Sequence, residues 1–306
     1  MTSPLDSPTV QTAAVDPAWN GLRLDAALRR VRPELSQTQA RALCAAGAVA
    51  LDGVRSAASV RIGKARTIDW YTGDLERTLR LSLPIVAERD GVLVLHKPPG
   101  LAVHGGPLVD DSVAARLAAT MPGVGLAQRL DRPASGLLLC GRDAAALAAL
   151  GAAMERGAIA RHYLAVTAGV VDGDARTIDL PLRVTDEPFG DRPKVVVDGD
   201  GGQPARTHLQ VLARSRAATL VRLTLDTGRT HQIRAHLRAI GHPLLGDPRY
   251  GDAAANAAAR ATHGIDRAML HCAELRLPTP ATGSELHVRA LLEPDFARMF
   301  PRWRPD

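Results

Sequence analysis

Between residues 220 and 243 the apolar period changes from two to nearly four, which commits the chain to a fold in which a strand runs straight into a helix. Val221, Leu223 and Leu225 alternate with Arg222 and Thr224, the pattern of a half-buried strand. Asp226-Thr227-Gly228-Arg229-Thr230 breaks it. Ile233, Leu237 and Ile240 then make a helical stripe, with Thr230 as the expected N-cap and Gly241, shortly before Pro243, as the stop. Further apolar runs at residues 91–96, 137–139 and 163–167, separated by helical patches such as 143–154, predict an α+β class with a large mixed, mainly antiparallel sheet. No repeat of fixed length is visible, and the Ala-rich stretch 253–261 reads as a helix or an insert.

The N-terminal part has a different grammar. Leu24, Ala27, Leu28 and Val31 recur at helical spacing until Pro33. Ser36 stands three residues before Gln39, a capping box for a helix over 37–46 that Gly47 ends. Residues 48–51, the pair Asp52-Gly53 and then Val54 predict strand, tight turn and strand. The expected division is therefore a disordered tail at 1–18, a small unit of helices and hairpin at 19–72, a polar linker at 73–84 and a large domain at 85–306.

With 306 residues and 46% hydrophobic content, the chain can bury a real core. Its 38 basic against 32 acidic residues leave a charge of +6, which favours a polyanionic partner such as nucleic acid or is a matter of surface composition. Aromatic residues at 3% are too few for the rows of rings on which generic single-strand binders stack bases. Cys44, Cys140 and Cys272 lie far apart, without the spacing of disulfide frameworks or thiolate metal sites, which suits a reducing, cytoplasmic compartment. No apolar run approaches the roughly 18 residues of a membrane span.

Phosphate loops of the GxxxxGK[ST] type and strand-linked GxGxxG are both missing, so no cofactor is expected. His231, His236 and His242 raise a metal hydrolase as a rival. The five-residue step from His231 to His236 turns them off a common helical face, and no metal is expected.

The candidate for chemistry is Asp131 in QRLDRPASGLLL, flanked by Arg129 and Arg132 on a turn that feeds an apolar strand. An ionised carboxylate there can attack an electrophilic sugar carbon; the same local pattern also describes an ion pair or a turn cap. Arg234 and Arg238, one turn apart on the helix, can neutralise a phosphate, pair with a carboxylate or form a solvated basic face. Arg229, Arg238 and Arg249 are candidate phosphate contacts. Lys97 and His104 fall in KPPGLAVH, where Pro98, Pro99 and Gly100 shape a buttressing turn, and they are left out of catalysis.

In order and approximate spacing, KPPGLAVH, QRLDRPASGLLL, RHYLAVTAG and GRTHQIRAHLRAIGHPLLGDPRYG resemble the motifs of the RluA family of pseudouridine synthases over about 180 residues. The resemblance implies a cofactor-free isomerase in which Asp131 acts on a flipped-out uridine, by attack at the anomeric carbon or by deprotonating the sugar, while uracil detaches, rotates and rejoins through carbon 5. It further implies that Arg234 pairs with Asp131, Tyr163 stacks on the base and moves the carbon 5 proton, Arg129 places the nucleotide and Leu270 walls the pocket.

Two positions depart from the family pattern, Gln128 where His is common and Ala134 where Thr is common. RLDAAL, the capped second helix and AGAVALDGV resemble an S4-like RNA-binding domain, although only Arg41 is charged on that helix. The implied function is uridine isomerisation in structured RNA by a cytoplasmic monomer, with large-subunit ribosomal RNA as the target. Transfer RNA, or a noncatalytic RNA-binding assembly factor, are the alternatives.

Overall fold

The computed structural model describes residues 9–106, 109–189 and 192–303. The N-terminal unit comprises β1 (Val10–Ala14), α1 (Leu24–Val31), α2 (Gln37–Ala46), β2 (Val49–Leu51), β3 (Val54–Arg55) and β4 (Thr67–Tyr71). Its strands form an antiparallel sheet in the order β1-β4-β2-β3. Helix α2 starts and stops where its caps dictate: Ser36 Oγ accepts from Gln39 N, the Gln39 side chain accepts from Ser36 N, and Gly47 takes the left-handed conformation. Asp52 and Gly53 both have positive φ, the geometry of the two-residue hairpin turn joining β2 and β3. Leu24, Leu28, Leu35, Val49 and Ile68 fill the space between helices and sheet.

Two segments differ from the expectation. Residues 10–14, inside the expected disordered tail, pair in register with residues 67–71, and Thr12 Oγ1 donates to Asp69 at 2.7 Å. This strand is hidden in the sequence because most of its side chains are exposed, so it carries little apolar signal. Residues 1–8 of that tail lie outside the described residues. The expected linker at 73–84 contains a capped helix, α3 (Leu75–Leu81), whose N-cap Asp74 accepts from Arg77 N; Leu81 and Leu83 are buried.

The rest of the chain builds β5 (Ile85–Arg89), β6 (Val92–Lys97), α4 (Val113–Thr120), β7 (Gly125–Leu126), β8 (Ser135–Gly141), α5 (Ala144–Glu155), β9 (Ala160–Ala168) and β10 (Ala175–Asp179). A hairpin of β11 (Leu182–Phe189) and β12 (Arg192–Val197) follows, then β13 (Arg206–Arg214), β14 (Ala218–Leu225), α6 (Gln232–Ala239), α7 (Ala253–His263), β15 (Leu270–Pro278), β16 (Glu285–Arg289) and α8 (Pro294–Met299). The large sheet runs β10-β13-β14-β9-β15-β8-β6-β5, with β16 on β15 and β7 on β8. Its strands pair antiparallel except for β8 with β15. Where those two meet, a Cβ on Gly136 would lie 2.2 Å from Cys272 O, so only glycine permits the approach. Leu137, Leu138 and Leu139 are fully buried, which explains a continuous apolar run instead of alternation. Among the described residues no helix is long and apolar enough to cross a membrane.

Alternation along the strands assigns neighbouring residues to opposite faces of the large sheet. On β9, Tyr163 belongs to the main core, whereas Leu164 packs with Leu292, Phe296 and Phe300 beneath the N-terminal unit. On β6, Lys97 reaches the turn that carries Asp131, whereas His96 meets the N-terminal unit. That unit is held by backbone pairing, Arg55 N to Leu292 O and Leu292 N to Gly53 O, both at 2.9 Å. Beside this pairing lies a buried polar set. Leu291 N donates to Tyr71 Oη at 2.6 Å, Tyr71 Oη meets His96 Nδ1 at 2.7 Å, and His96 Nε2 meets Glu293 at 2.9 Å. The Arg55 guanidinium also donates to Glu293.

Candidate active site

Asp131 sits on the turn between β7 and β8, and that turn is tied down from three directions. Buried Lys97 donates from Nζ to the carbonyls of Pro98, Leu101 and Arg132. Arg132 Nε donates to Gly100 O at 2.9 Å, and Gly100 N returns a bond to Arg132 O at 2.8 Å. Arg267, buried and paired with Asp295 at 2.6 and 2.9 Å, donates to Pro133 O. Burial pushes the Lys97 ammonium down to about 7 and Arg267 adds to that, while Asp131 opposes it. Its three carbonyl partners match the three protons of the charged form, so Lys97 acts as a brace.

Arg234 on α6 reaches the turn with Nη1, 2.8 Å from Asp131 Oδ2. The other edge of its guanidinium forks onto Asp247, Nε to Oδ2 at 2.6 Å and Nη2 to Oδ1 at 2.8 Å. Burial alone would lower the Arg234 pKa, but the two carboxylates outweigh it and hold the cation firmly charged. Asp247 is fully buried, and Arg234 more than compensates that burial, keeping its pKa below the usual carboxylate range. Asp131 lines a cavity of about 1200 Å³ together with Arg129, Arg161, Arg229, Thr230 and His231 among others, and its Oδ1 has His231 Nε2 3.8 Å away.

The remaining expected residues divide into three groups. Arg129 and Arg229 stand at the cavity wall; Arg129 Nη2 donates to Thr230 Oγ1 at 3.3 Å and Arg229 Nε donates to Pro204 O. Tyr163 lies buried behind the wall, close enough for Asp131 to raise its pKa further after burial has done most of that. Leu270 is buried in the core beside it on β15, opposite Ala165. Arg238 points elsewhere: it is exposed and donates to Tyr250 O at 3.1 Å.

The N-cap of α6 also differs from expectation. His231, with φ +53, occupies it in place of Thr230, because Gln232 Oε1 accepts from Arg229 N and Thr227 Oγ1 and winds the chain one residue further. Of the two departures from the family pattern, Ala134 is accommodated and Gln128 only in part, since its Oε1 is buried without a hydrogen-bond partner. The Gln128 amide donates to Leu137 O at 3.0 Å and braces the turn, and Ala134 packs in the core.

Three contributors escaped sequence reasoning, namely Asp247, Arg267 and Tyr250. The run GDPRYG contained the signal for the first, a carboxylate directly before proline a short distance beyond a candidate cation. Arg267 and Tyr250 had none. Among the described residues one group of metal-ligating atoms converges, His96, His271 and Glu293, all buried and within 4.8 Å. It lies on the face of the N-terminal unit, and the Arg55 guanidinium, against both Glu293 and His96 Nε2, already occupies a cation's place.

Residues 91–239 match the family model described as RNA pseudouridylate synthase. The chain is 32% identical over 297 residues to ribosomal large subunit pseudouridine synthase D of Nitrosomonas europaea, spanning 91% of this chain and 83% of that protein. It is 35% identical over 234 residues to ribosomal large subunit pseudouridine synthase C of Escherichia coli K12, covering 75% and 73% of the two chains. Among solved structures, human RNA pseudouridylate synthase domain containing 4 shares the fold with a TM-score of 0.60 at 23% identity, over 72% of this chain and 94% of that one. Human RNA pseudouridylate synthase domain containing 1 aligns with a TM-score of 0.56 at 24% identity, over 73% and 97%.

Proposed function

This chain belongs to the RluA family of pseudouridine synthases, and from that premise we propose that it isomerises uridines of large-subunit ribosomal RNA with Asp131 as the acting carboxylate. One observation carries the assignment of the residue: Asp131 is the carboxylate that opens one oxygen to the cavity while a buried, doubly paired arginine holds the other. Arg234 grips Asp131 by Oδ2 and sets its plane, and Asp247 in turn keeps Arg234 from swinging to the RNA. Oδ1 then acts on the ribose of a uridine turned out of its helix. Uracil separates as its N1–C1′ bond breaks, rotates and bonds through carbon 5, which gives up its proton while nitrogen 1 gains one; Tyr163, the residue this reading assigns to that proton, lies behind the cavity wall and meets the base once the wall side chains yield to it. Arg129 and Arg229 at the rim contact the phosphates.

The names of the relatives favour ribosomal RNA over transfer RNA as the target. The same reading takes residues 19–72 as an S4-like unit and the whole as a cytoplasmic monomer. That unit holds RNA weakly in this reading, because Arg23 and Arg41 both converge on the buried carboxylate of Asp25.

The test is a pseudouridine map of ribosomal RNA from cells lacking the protein, treated with wild type or with Asp131→Asn. Wild type restores specific sites, and Asp131→Asn binds the RNA without forming product. Product at an undiminished rate from the variant ends the assignment.

A further inference from the structure

His231 entered the sequence reading only as one of three spaced histidines, yet in the fold it stands beside the acting carboxylate. Its Nε2 lies 3.8 Å from Asp131 Oδ1, and its ring lines the cavity. We propose that His231 is a positioning residue for the isomerisation, presenting Nε2–H to Asp131 Oδ1 so that the carboxylate is gripped by arginine at one oxygen and by imidazole at the other. The inference rests on the assignment of Asp131.

The position of the proton follows from the hydrogen bonds around the ring. Val195 N donates to Tyr250 Oη at 2.9 Å, so in this proposal the tyrosine's own proton goes to His231 Nδ1, 3.0 Å away. With Nδ1 as the acceptor, the neutral ring holds its proton on Nε2, facing Asp131. Burial, reinforced by Arg234 and Arg249 and opposed by Asp131 and Asp247, lowers the His231 pKa and keeps the ring neutral.

Two further observations support a functional reason for this placement. His231 takes a left-handed backbone, φ +53, that non-glycine residues adopt only where surroundings enforce it, and this turn swings the ring back over Asp131. The opposite face of the large sheet carries the same chain of groups in closed form. There Leu291 N, Tyr71, His96 and Glu293 follow in that order, and the imidazole meets the carboxylate at 2.9 Å. The longer 3.8 Å at Asp131 is a contact awaiting closure, as catalytic hydrogen bonds commonly are before substrate arrives.

Single-turnover isomerisation of ribosomal RNA from cells lacking the protein, run alongside RNA binding and thermal melting, tests the proposal. His231→Leu lowers the turnover rate at least about tenfold while the RNA dissociation constant stays within about twofold. His231→Gln, whose amide N–H reaches the place of Nε2–H, recovers to within about threefold of wild type. Tyr250→Phe, which frees the tautomer, falls between the two. Wild-type turnover by His231→Leu overturns the proposal, and so do equal rates for His231→Leu and His231→Gln with matching losses in melting temperature. Product from Asp131→Asn at the wild-type rate is a separate result, which removes the assignment of Asp131 on which this one stands.

Discussion

The two faces of the large sheet carry the same sequence of groups with opposite consequences. Under the N-terminal unit the order is backbone N–H of Leu291, Tyr71, His96, Glu293 and Arg55; at the cavity it is backbone N–H of Val195, Tyr250, His231, Asp131 and Arg234. Glu293 is almost fully buried and meets both its histidine and its arginine directly. Asp131 keeps one oxygen toward solvent, and its histidine stands off. A buried carboxylate held directly by both a histidine and an arginine, here through the one oxygen Oε1, is a structural fastener, because breaking it leaves an uncompensated charge. A carboxylate gripped by arginine at one oxygen, with its histidine 3.8 Å from the other, keeps a lone pair of that second oxygen for reaction.

The sharpest way to break this comparison is to remove the cation on the cavity side. Arg234→Met should cut single-turnover isomerisation by about a hundredfold or more, since a misplaced carboxylate loses its approach to the ribose. It should also cost stability of about 3 kcal/mol because Asp247 is left buried and unpaired. An Arg234→Met enzyme with wild-type turnover would show that the pairing with Asp131 is incidental.

The matching change on the other face is Arg55→Met. It should lower unfolding free energy by about 3 kcal/mol in a urea titration, through Glu293, while the turnover of folded molecules stays within about twofold. Loss of turnover at full stability would mean that the faces are not separable in this way.

The smallest effect is titration of the closed set. Burial, with Arg55 adding to it, lowers His96 from 6.5 to about 4 against the pull of Glu293. The groups that face this histidine are Tyr71, Glu293, Arg55 and His271. Between those two pKa values the unfolded chain takes up a proton that the folded chain refuses, so stability falls as pH falls through that window. His96 alone contributes an expected loss of about 2 kcal/mol between pH 6.5 and 4.5, read from urea unfolding, and His96→Asn should remove that share while leaving the share of His271, which burial also holds well below its usual range. Glu293, whose pKa is lowered, adds a further loss once pH drops below its ordinary range. A pH-independent wild type would remove the buried neutral imidazole from the account.

What could be foreseen from residues alone follows from the range of each interaction. Helix α2, its caps and the Asp52-Gly53 turn are decided within a few residues, and they are where the pattern puts them. The strand-to-helix switch at residues 220–240 was legible for the same reason, except that Gln232 moved the cap by one position. Strand β1 was not, because its hold on the fold comes from backbone pairing with residues 67–71 and not from apolar side chains. The cavity side shows the same division. Asp131 and Arg234 stand in recognisable runs, while Arg267 contributes through Pro133, 134 positions away, and Tyr250 through a proton it hands to His231. Neither role leaves a local mark.

The parallel seam between β8 and β15 also sets the order in which the enzyme comes into being. Strand β8 follows directly on the turn that carries Asp131, but its partner strand begins only at Leu270, and the arginine that steadies the turn is residue 267. A chain emerging from the ribosome has therefore exposed its carboxylate long before the strand that locks the turn exists. A chain cut before Arg267 would keep the recognisable motifs but lack the seam and the brace that hold Asp131 in place.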